Sequence, residues 1–334
     1  MKVLVTGGAG YIGSHMVAAL SRRGAEVVIF DNLSSGSRSA VGDCLLVVGD
    51  INNAADLTAV FQQTRFDAVL HFASLIQVGE SVQYPARYYH TNVIGTLNLL
   101  EAMRAANVQR FIFSSSAAVF GEPNYTPIDE AHPKVPLNPY GFSKLAVEQV
   151  LADYALAYGL QSVSLRYFNA AGADPAGRHG ECHEPETHLI PLVLQAASGR
   201  RPTVTIFGTD YPTPDGTCIR DYVHVDDLCQ AHVLALDFLA ENGRSAAYNL
   251  GNNQGFSVRE IINTAERVSG KRIPVAIGAR RPGDPAVLVA DSRKAIADLG
   301  WRPQYCALDT IVGHAWEWEQ KLVRASTKKS GGSV

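Results

Sequence analysis

Residues Val3-Leu4-Val5-Thr6-Gly7-Gly8-Ala9-Gly10-Tyr11-Ile12-Gly13 constrain the fold more than any other stretch of this chain. A β-favouring run enters glycines spaced at i, i+3 and i+6, and an amphipathic run follows. That order reads strand, tight turn, helix. Gly7 can take backbone angles that a Cβ forbids. Gly10 lets the main chain approach a ligand, and Gly13 lets the helix pack against the strand. The start of such a helix presents unpaired N–H groups and a positive dipole end to an anion. A dinucleotide pyrophosphate is the anion that this arrangement suits.

A second apolar strand, Glu26 to Phe30, ends at Asp31, eighteen residues after Gly13. An acid there can accept hydrogen bonds from ribose hydroxyls and would repel a 2′-phosphate, which favours NAD over NADP. The GxxGxxG spacing resembles the short-chain dehydrogenase/reductases rather than the lactate-dehydrogenase type. Further strands are expected at Cys44–Val48, Phe66–His71, Phe111–Ser116 and Ser162–Tyr167, with helical patterns at about 88–106 and 139–158. Strands alternating with helices imply an α/β, Rossmann-type, doubly wound parallel sheet with ligands at its carboxyl ends. Gly7, Asp31, Phe72-Ala73 and Ser114-Ser115-Ser116 all fall at such ends. Asp50 admits two readings, a contact to the adenine end of the cofactor or a cap for the next helix.

From Ala173 to Thr187, glycine, proline, histidine and charged residues interrupt any regular run. The expected organisation is a dinucleotide-binding domain over 1–172, with returning segments near 226–251. A smaller α/β substrate domain spans mainly 173–322, and the tail over 324–334 is expected to be disordered. The net charge of −3 is spread without a basic block, which argues against nucleic acid as a partner. No apolar run is long enough for a membrane span, and Met1-Lys2 leads directly into the first strand, as in a chain without a signal peptide. The five cysteines show no CxxC spacing, which suits a reducing cytoplasm. His179, Cys182, His183 and His188 match no standard zinc spacing, so no metal is expected.

The chemistry centres on Tyr140 and Lys144, four apart on one helix that Asn138 caps and Pro139 begins. A free tyrosine has a pKa of about 10, and bringing it near 7 needs about 4 kcal/mol. A nearby ammonium and an oxidised nicotinamide both favour the phenolate. Tyr140 can then take a proton from a substrate hydroxyl, with Ser116 bridging the same hydroxyl. The pair on its own also reads as an ordinary surface pair. Arg220 and Arg281 suit a second anion, although Asp221 and Asp284 equally offer them ion pairs.

These stretches together resemble the UDP-galactose/UDP-glucose 4-epimerases of the extended short-chain dehydrogenase/reductase family, over about residues 1 to 322. The motifs that carry it include Tyr140-Gly141-Phe142-Ser143-Lys144, Arg166-Tyr167-Phe168-Asn169, Arg220-Asp221-Tyr222 and Arg280-Arg281-Pro282-Gly283-Asp284. The resemblance implies Tyr140 as base, Lys144 as its tuner and Ser116 as its helper. It implies NAD retained through turnover, held by Gly7, Gly10, Tyr11, Ile12, Gly13, Asp31, Asn32, Asp50, Ile51, Phe72, Ala73, Asn92, Ser114, Tyr140, Lys144 and Tyr167. Ser116, Tyr140, Asn169, His188, Leu189, Phe207, Arg220, Arg281, Asp284 and Leu288 would contact the UDP-sugar. A cytoplasmic homodimer is implied, paired through the helices over 88–106 and 140–158.

This chain departs from the family pattern at several places. Ile76 stands where some members carry a lysine, Phe120 where a tyrosine is common, and His188 where an asparagine is common. Leu288 occupies the position that gates the sugar pocket and is intermediate in size, which points to non-acetylated sugars. Ala117 and Ala118 replace the acid pair that a 4,6-dehydratase needs. A UDP-glucuronate 4-epimerase or decarboxylase, and a non-catalytic NAD-binding scaffold, remain as other readings.

Overall fold

The computed structural model of the chain describes residues 1–281 and 283–330, with side chains described as far as 325. The first half runs β1 (Lys2–Thr6), α1 (Tyr11–Arg22), β2 (Glu26–Asp31), β3 (Leu45–Val48), α2 (Ala54–Gln63), β4 (Ala68–His71), α3 (Val78–Gln83), α4 (Pro85–Tyr88), α5 (Gly95–Ala105), β5 (Arg110–Ser116) and α6 (Pro139–Tyr158). It continues through β6 (Gln161–Tyr167), β7 (Asn169–Ala171), α7 (Leu189–Ser198), β8 (Val204–Phe207), β9 (Ile219–His224), α8 (Val225–Asn242) and β10 (Ala246–Leu250). The last elements are β11 (Gly255–Ser257), α9 (Val258–Ser269), β12 (Val275–Gly278), β13 (Val287–Leu288), α10 (Arg293–Leu299) and α11 (Leu308–Ser330).

Seven strands form one sheet in the order β10-β6-β5-β4-β1-β2-β3, with every pairing parallel. Alternation along β1 feeds both faces. Val3 and Val5 join Met16, Val17, Leu20, Leu228 and Leu236 beneath α1 and α8. Leu4 joins Leu57, Leu99, Met103 and Val147 beneath α2, α5 and α6. A sheet covered on both faces in this order is the Rossmann type, and its strand order reverses between β1 and β4.

A second core, built on Ile190, Val193, Ile206, Tyr222, Ile261 and Ile311, joins α7, α9 and α11 to β8 and β9. There β9 pairs with β7, β11 and β13, and β8 pairs with β12. Arg220 of β9 and Leu288 of β13 line one cavity with the carboxyl ends of the large sheet's strands.

Three local expectations change. The helix expected over 88–106 begins at Pro85 and contains a π-helical interval, Tyr89–Ile94, before α5. Asn53, not Asp50, caps α2, its side chain accepting from Ala55 N. The tail expected to be disordered over 324–334 is helical to Ser330, and 331–334 lie outside the described residues.

Candidate active site

One cavity of about 930 Å³ runs along the carboxyl ends of β1, β2, β4, β5 and β6 and continues beneath the second core. Its dinucleotide-sized half starts at the glycine turn. Gly7 has φ +73°, and a Cβ there would lie 2.5 Å from Ala73 N. A Cβ on Gly13 would lie 2.1 Å from Gly7 O, so this glycine closes the turn on itself rather than on the strand. A Cβ on Gly10 would meet only Gly7 O, at 3.4 Å, and Gly10 caps α1 without any side-chain bond. The first amides of α1 therefore face a gap shaped for a diphosphate.

Asp31 ends β2 with its carboxylate accepting from Ala9 N at 2.9 Å and Leu33 N at 2.8 Å. Those bonds aim it into the cavity and leave lone pairs for hydroxyls. Asn32 donates to Asp50 at 3.1 Å, and Asp50 also accepts from the main chain of Asn52 at 2.8 Å. Asn32, Asp50, Ile51, Phe72 and Ala73 line the same half. The residues thus fit a dinucleotide with an unphosphorylated ribose.

Asn92 stands behind the wall. It is 2% exposed, and its amide holds Leu75 N at 2.8 Å, Leu75 O at 3.0 Å and Ser143 Oγ at 3.0 Å. It pins the loop after β4 to α6 from within the π-helical interval and does not line the cavity.

Three elements converge at the middle. β5 delivers Ser114 and Ser116, β6 delivers Tyr167, and the first turns of α6 deliver Tyr140 and Lys144. Asn138 caps α6 by accepting from Gly141 N at 2.9 Å. A Cβ on Gly141 would come within 2.4 Å of Ala118 O, so this glycine lets the Tyr140 turn dock on the strand end. The Ser116 hydroxyl stands beside that of Tyr140. Burial raises the Tyr140 pKa, and Ser116 pulls it part of the way back. Lys144 Nζ donates to Ser114 O at 2.9 Å and lies 5.0 Å from the Phe113 ring centre and 5.8 Å from that of Tyr140. Burial lowers Lys144 to about 7. Ser114 and Tyr167 are hydrogen-bonded through their hydroxyls, beside this pair. In the protein alone, burial therefore opposes both the phenolate and the ammonium.

The far half is lined by Asn169, His188, Arg220, Asp284 and Leu288. Asn169 donates to Asp221 O at 2.9 Å. Arg220 pairs with Asp284 rather than with its neighbour Asp221, which is buried and accepts from Asn252 N at 2.6 Å. Leu189, Phe207 and Arg281 do not line the cavity. Arg281 instead stacks on Phe207, its guanidinium carbon 4.1 Å from the ring centre. Burial opposes a charge on His188, but Glu181 and Glu186 outweigh it and raise its pKa to about 10. Glu181 and Glu186 belong to the irregular loop before α7. Sequence spacing gave no sign of either, because each meets His188 only through the loop's fold.

Three relatives and one family model bear directly on this geometry. A UDP-glucose 4-epimerase from Halalkalibacterium halodurans is 52% identical over 321 residues, 96% of this chain and 96% of that one. The crystal structure of UDP-glucose 4-epimerase from Brucella ovis in complex with NAD superposes with a TM-score of 0.93 at 50% identity, over 95% of this chain and 98% of that one. The enzyme from Bifidobacterium longum in complex with NAD+ and UDP gives 0.92 at 41% identity, over 96% and 98%. The model of the NAD dependent epimerase/dehydratase family matches residues 3–251, and the glycine turn, the Asp31 carboxylate and the Ser116–Tyr140–Lys144 cluster all fall within that match, so the chain belongs to this family.

Proposed function

We propose that this protein interconverts UDP-galactose and UDP-glucose with retained NAD. The observation that carries the reading is one continuous cavity. It joins a dinucleotide cradle to a tyrosine–lysine–serine cluster and then to a second polar pocket around Arg220. Residues 1–172 supply the cradle, 226–251 return to pack and extend the large sheet behind it, and 173–322 supply most of the second pocket. Relatives at 52% and 50% identity that are named for this activity support the same reading.

When bound, NAD supplies a reversible acceptor for the sugar C4 hydrogen as hydride. The chain's residues do the rest. Tyr140 takes the proton of the 4-hydroxyl as that hydrogen leaves, and returns it after the 4-keto sugar has turned over. Ser116 holds the hydroxyl in line. Lys144, fixed by Ser114 O, aims its charge at the phenolate. A phenolate near neutral pH needs about 4 kcal/mol of help. The protein's own groups do not supply it, because burial raises Tyr140 and lowers Lys144 and Ser116 offsets only part of the rise. Tyr140 would gain the rest from the positive charge of an oxidised nicotinamide beside it, so its proton abstraction is tied to a loaded site.

Asn169, His188 and Arg220 hold the diphosphate and uridine. Leu288 limits the sugar pocket, and UDP-N-acetylglucosamine is expected to turn over far more slowly than UDP-glucose. Parallel progress curves for the two sugars check this.

Among the described residues, no helix is long and apolar enough to cross a membrane, and a cytoplasmic location fits the free cysteines. A homodimer is supported by an inverted pattern on α6. Ser143 and Lys144 are buried, while Phe142, Leu156 and Tyr158 are exposed, and Tyr89 and Ile94 lie exposed on the π-helical interval. Light scattering is expected to give twice the 36.0 kDa of one chain, and a monomeric mass would refute the pairing.

The primary test supplies UDP-galactose to purified protein without added cofactor and follows the anomeric signals by NMR. Growth of UDP-glucose to a stable mixture is expected. No change even with added NAD would shift the substrate towards a UDP-glucuronate.

A further inference from the structure

The loop between β7 and α7 gathers four ligand-type side chains that hydride and proton transfer do not require. One oxygen or nitrogen from each of Glu181, His183, Glu186 and His188 lies within 4.8 Å of the other three. Nδ1 of His188 is 2.6 Å from Oε1 of Glu181 and 3.1 Å from Oε1 of Glu186. Nδ1 of His183 is 3.1 Å from Oε1 of Glu181 and 3.9 Å from Oε2 of Glu186. Both carboxylates are sealed, with side chains 6% and 4% exposed. Among the described residues neither pairs with a lysine or arginine; the histidines are their ionic partners, and Glu186 Oε1 also accepts from the main-chain N–H of Thr187 at 2.7 Å and of His188 at 2.9 Å.

We propose that Glu181, His183, Glu186 and His188 form a binding site for a single divalent transition-metal ion of the zinc class, in the wall of the nucleotide cavity. Metal–nitrogen and metal–oxygen bonds of this class are about 2.0–2.1 Å, which places tetrahedral donors about 3.3 Å apart. The donor separations above lie on both sides of that value and none in the set exceeds 4.8 Å, so an ion enters with shifts of about 1–1.5 Å, opening the 2.6 Å contact and releasing the proton that Glu181 and Glu186 hold on His188. Two imidazoles select zinc, cobalt or nickel over magnesium and calcium, which prefer all-oxygen shells. Two carboxylates balance the dication's charge, and their burial makes that balance valuable.

The residues that the sequence groups by spacing differ from this set. Cys182 is exposed and His179 faces His15, with ring centres 5.8 Å apart; neither belongs to the quartet. Glu181, His183 and His188 line the cavity, so the ion would sit beside the substrate rather than at the reacting carbon.

The test uses untagged holoprotein dialysed against a chelator and titrated with zinc chloride by calorimetry, and in parallel with cobalt(II) by visible absorption. One equivalent of zinc is expected, with cobalt(II) giving the intense d–d bands of a four-coordinate site. Both signals are expected to weaken at least tenfold in His183→Ala and in Glu181→Gln, and to persist in Cys182→Ala and His179→Ala. Circular dichroism on each variant separates lost ligation from lost folding. Should Glu181→Gln misfold, His183→Ala carries the comparison, since its side chain is the less embedded. Absence of stoichiometric binding would overturn the proposal and leave the quartet an ion-pair cluster only. Binding that survives His183→Ala would also overturn it, as would binding that disappears with Cys182→Ala. None of these readouts depends on epimerase activity, so the metal site and the substrate assignment fail separately.

Discussion

Tyr140→Phe is expected to lower kcat for UDP-galactose by about 10²–10⁴-fold, the usual worth of a positioned acid–base group. KM is expected to change little, and NAD to remain with the purified protein. The substitution removes only the phenolic oxygen. Ser116 is the side chain beside that oxygen, and the half-buried ring keeps its place beside Lys144, 5.8 Å away. The cofactor cradle is elsewhere, in the glycine turn and the Asp31 carboxylate with its 2.9 and 2.8 Å backbone bonds. A loss confined to kcat marks a group used in the transition state and not in binding. The assay pairs initial rates from a coupled UDP-glucose readout with the absorbance of cofactor released on denaturation. Unaltered turnover would remove Tyr140 from the reaction. Loss of NAD together with turnover would make its role structural.

Features that depend on neighbours in sequence were legible. The glycine turn, the acid at the end of β2 and the i, i+4 relation of Tyr140 and Lys144 are each fixed within one or two turns of chain, and strand alternation places their ends on one edge of a parallel sheet. Features that depend on how the loops fold were not. Asn92 reads as a cofactor contact, yet a π-helical interval turns its amide onto Leu75 and Ser143. Arg281 reads as an anion ligand, but the second core lays it on Phe207, while Arg220 takes the Asp284 that sequence proximity would give to Arg281. The face of α6 was legible only through its chemistry. A helix rolled by hydrophobicity alone would bury Phe142 and Leu156, which are exposed, and expose Lys144, which is buried.

The roll of α6 leads to the largest stability effect. Glu148 lies one turn beyond Lys144. It accepts from Arg166 Nε at 2.8 Å and Nη2 at 2.6 Å, and from Ser115 Oγ at 2.6 Å. Ser115 and Arg166 are register partners on β5 and β6, so one carboxylate ties both strands to the helix. The side chains of the ion pair are 6% and 9% exposed, hence the pair is desolvated and little screened. Glu148→Ala leaves the Arg166 guanidinium buried without its counter-charge, a loss of about 3–5 kcal/mol. For a chain of this length that corresponds to a midpoint about 4–7 °C lower by calorimetry. A surface pair would cost about 0–1 kcal/mol, so an unchanged midpoint would show that water reaches Arg166. Because the same bonds set Ser116 against Tyr140, kcat is expected to fall as well, with NAD retained. Glu148→Gln keeps an acceptor for Ser115 and for one guanidinium N–H. It is expected to restore more of the rate than of the stability, since geometry survives where charge does not. Equal recovery of both would mean that the tie acts through packing alone.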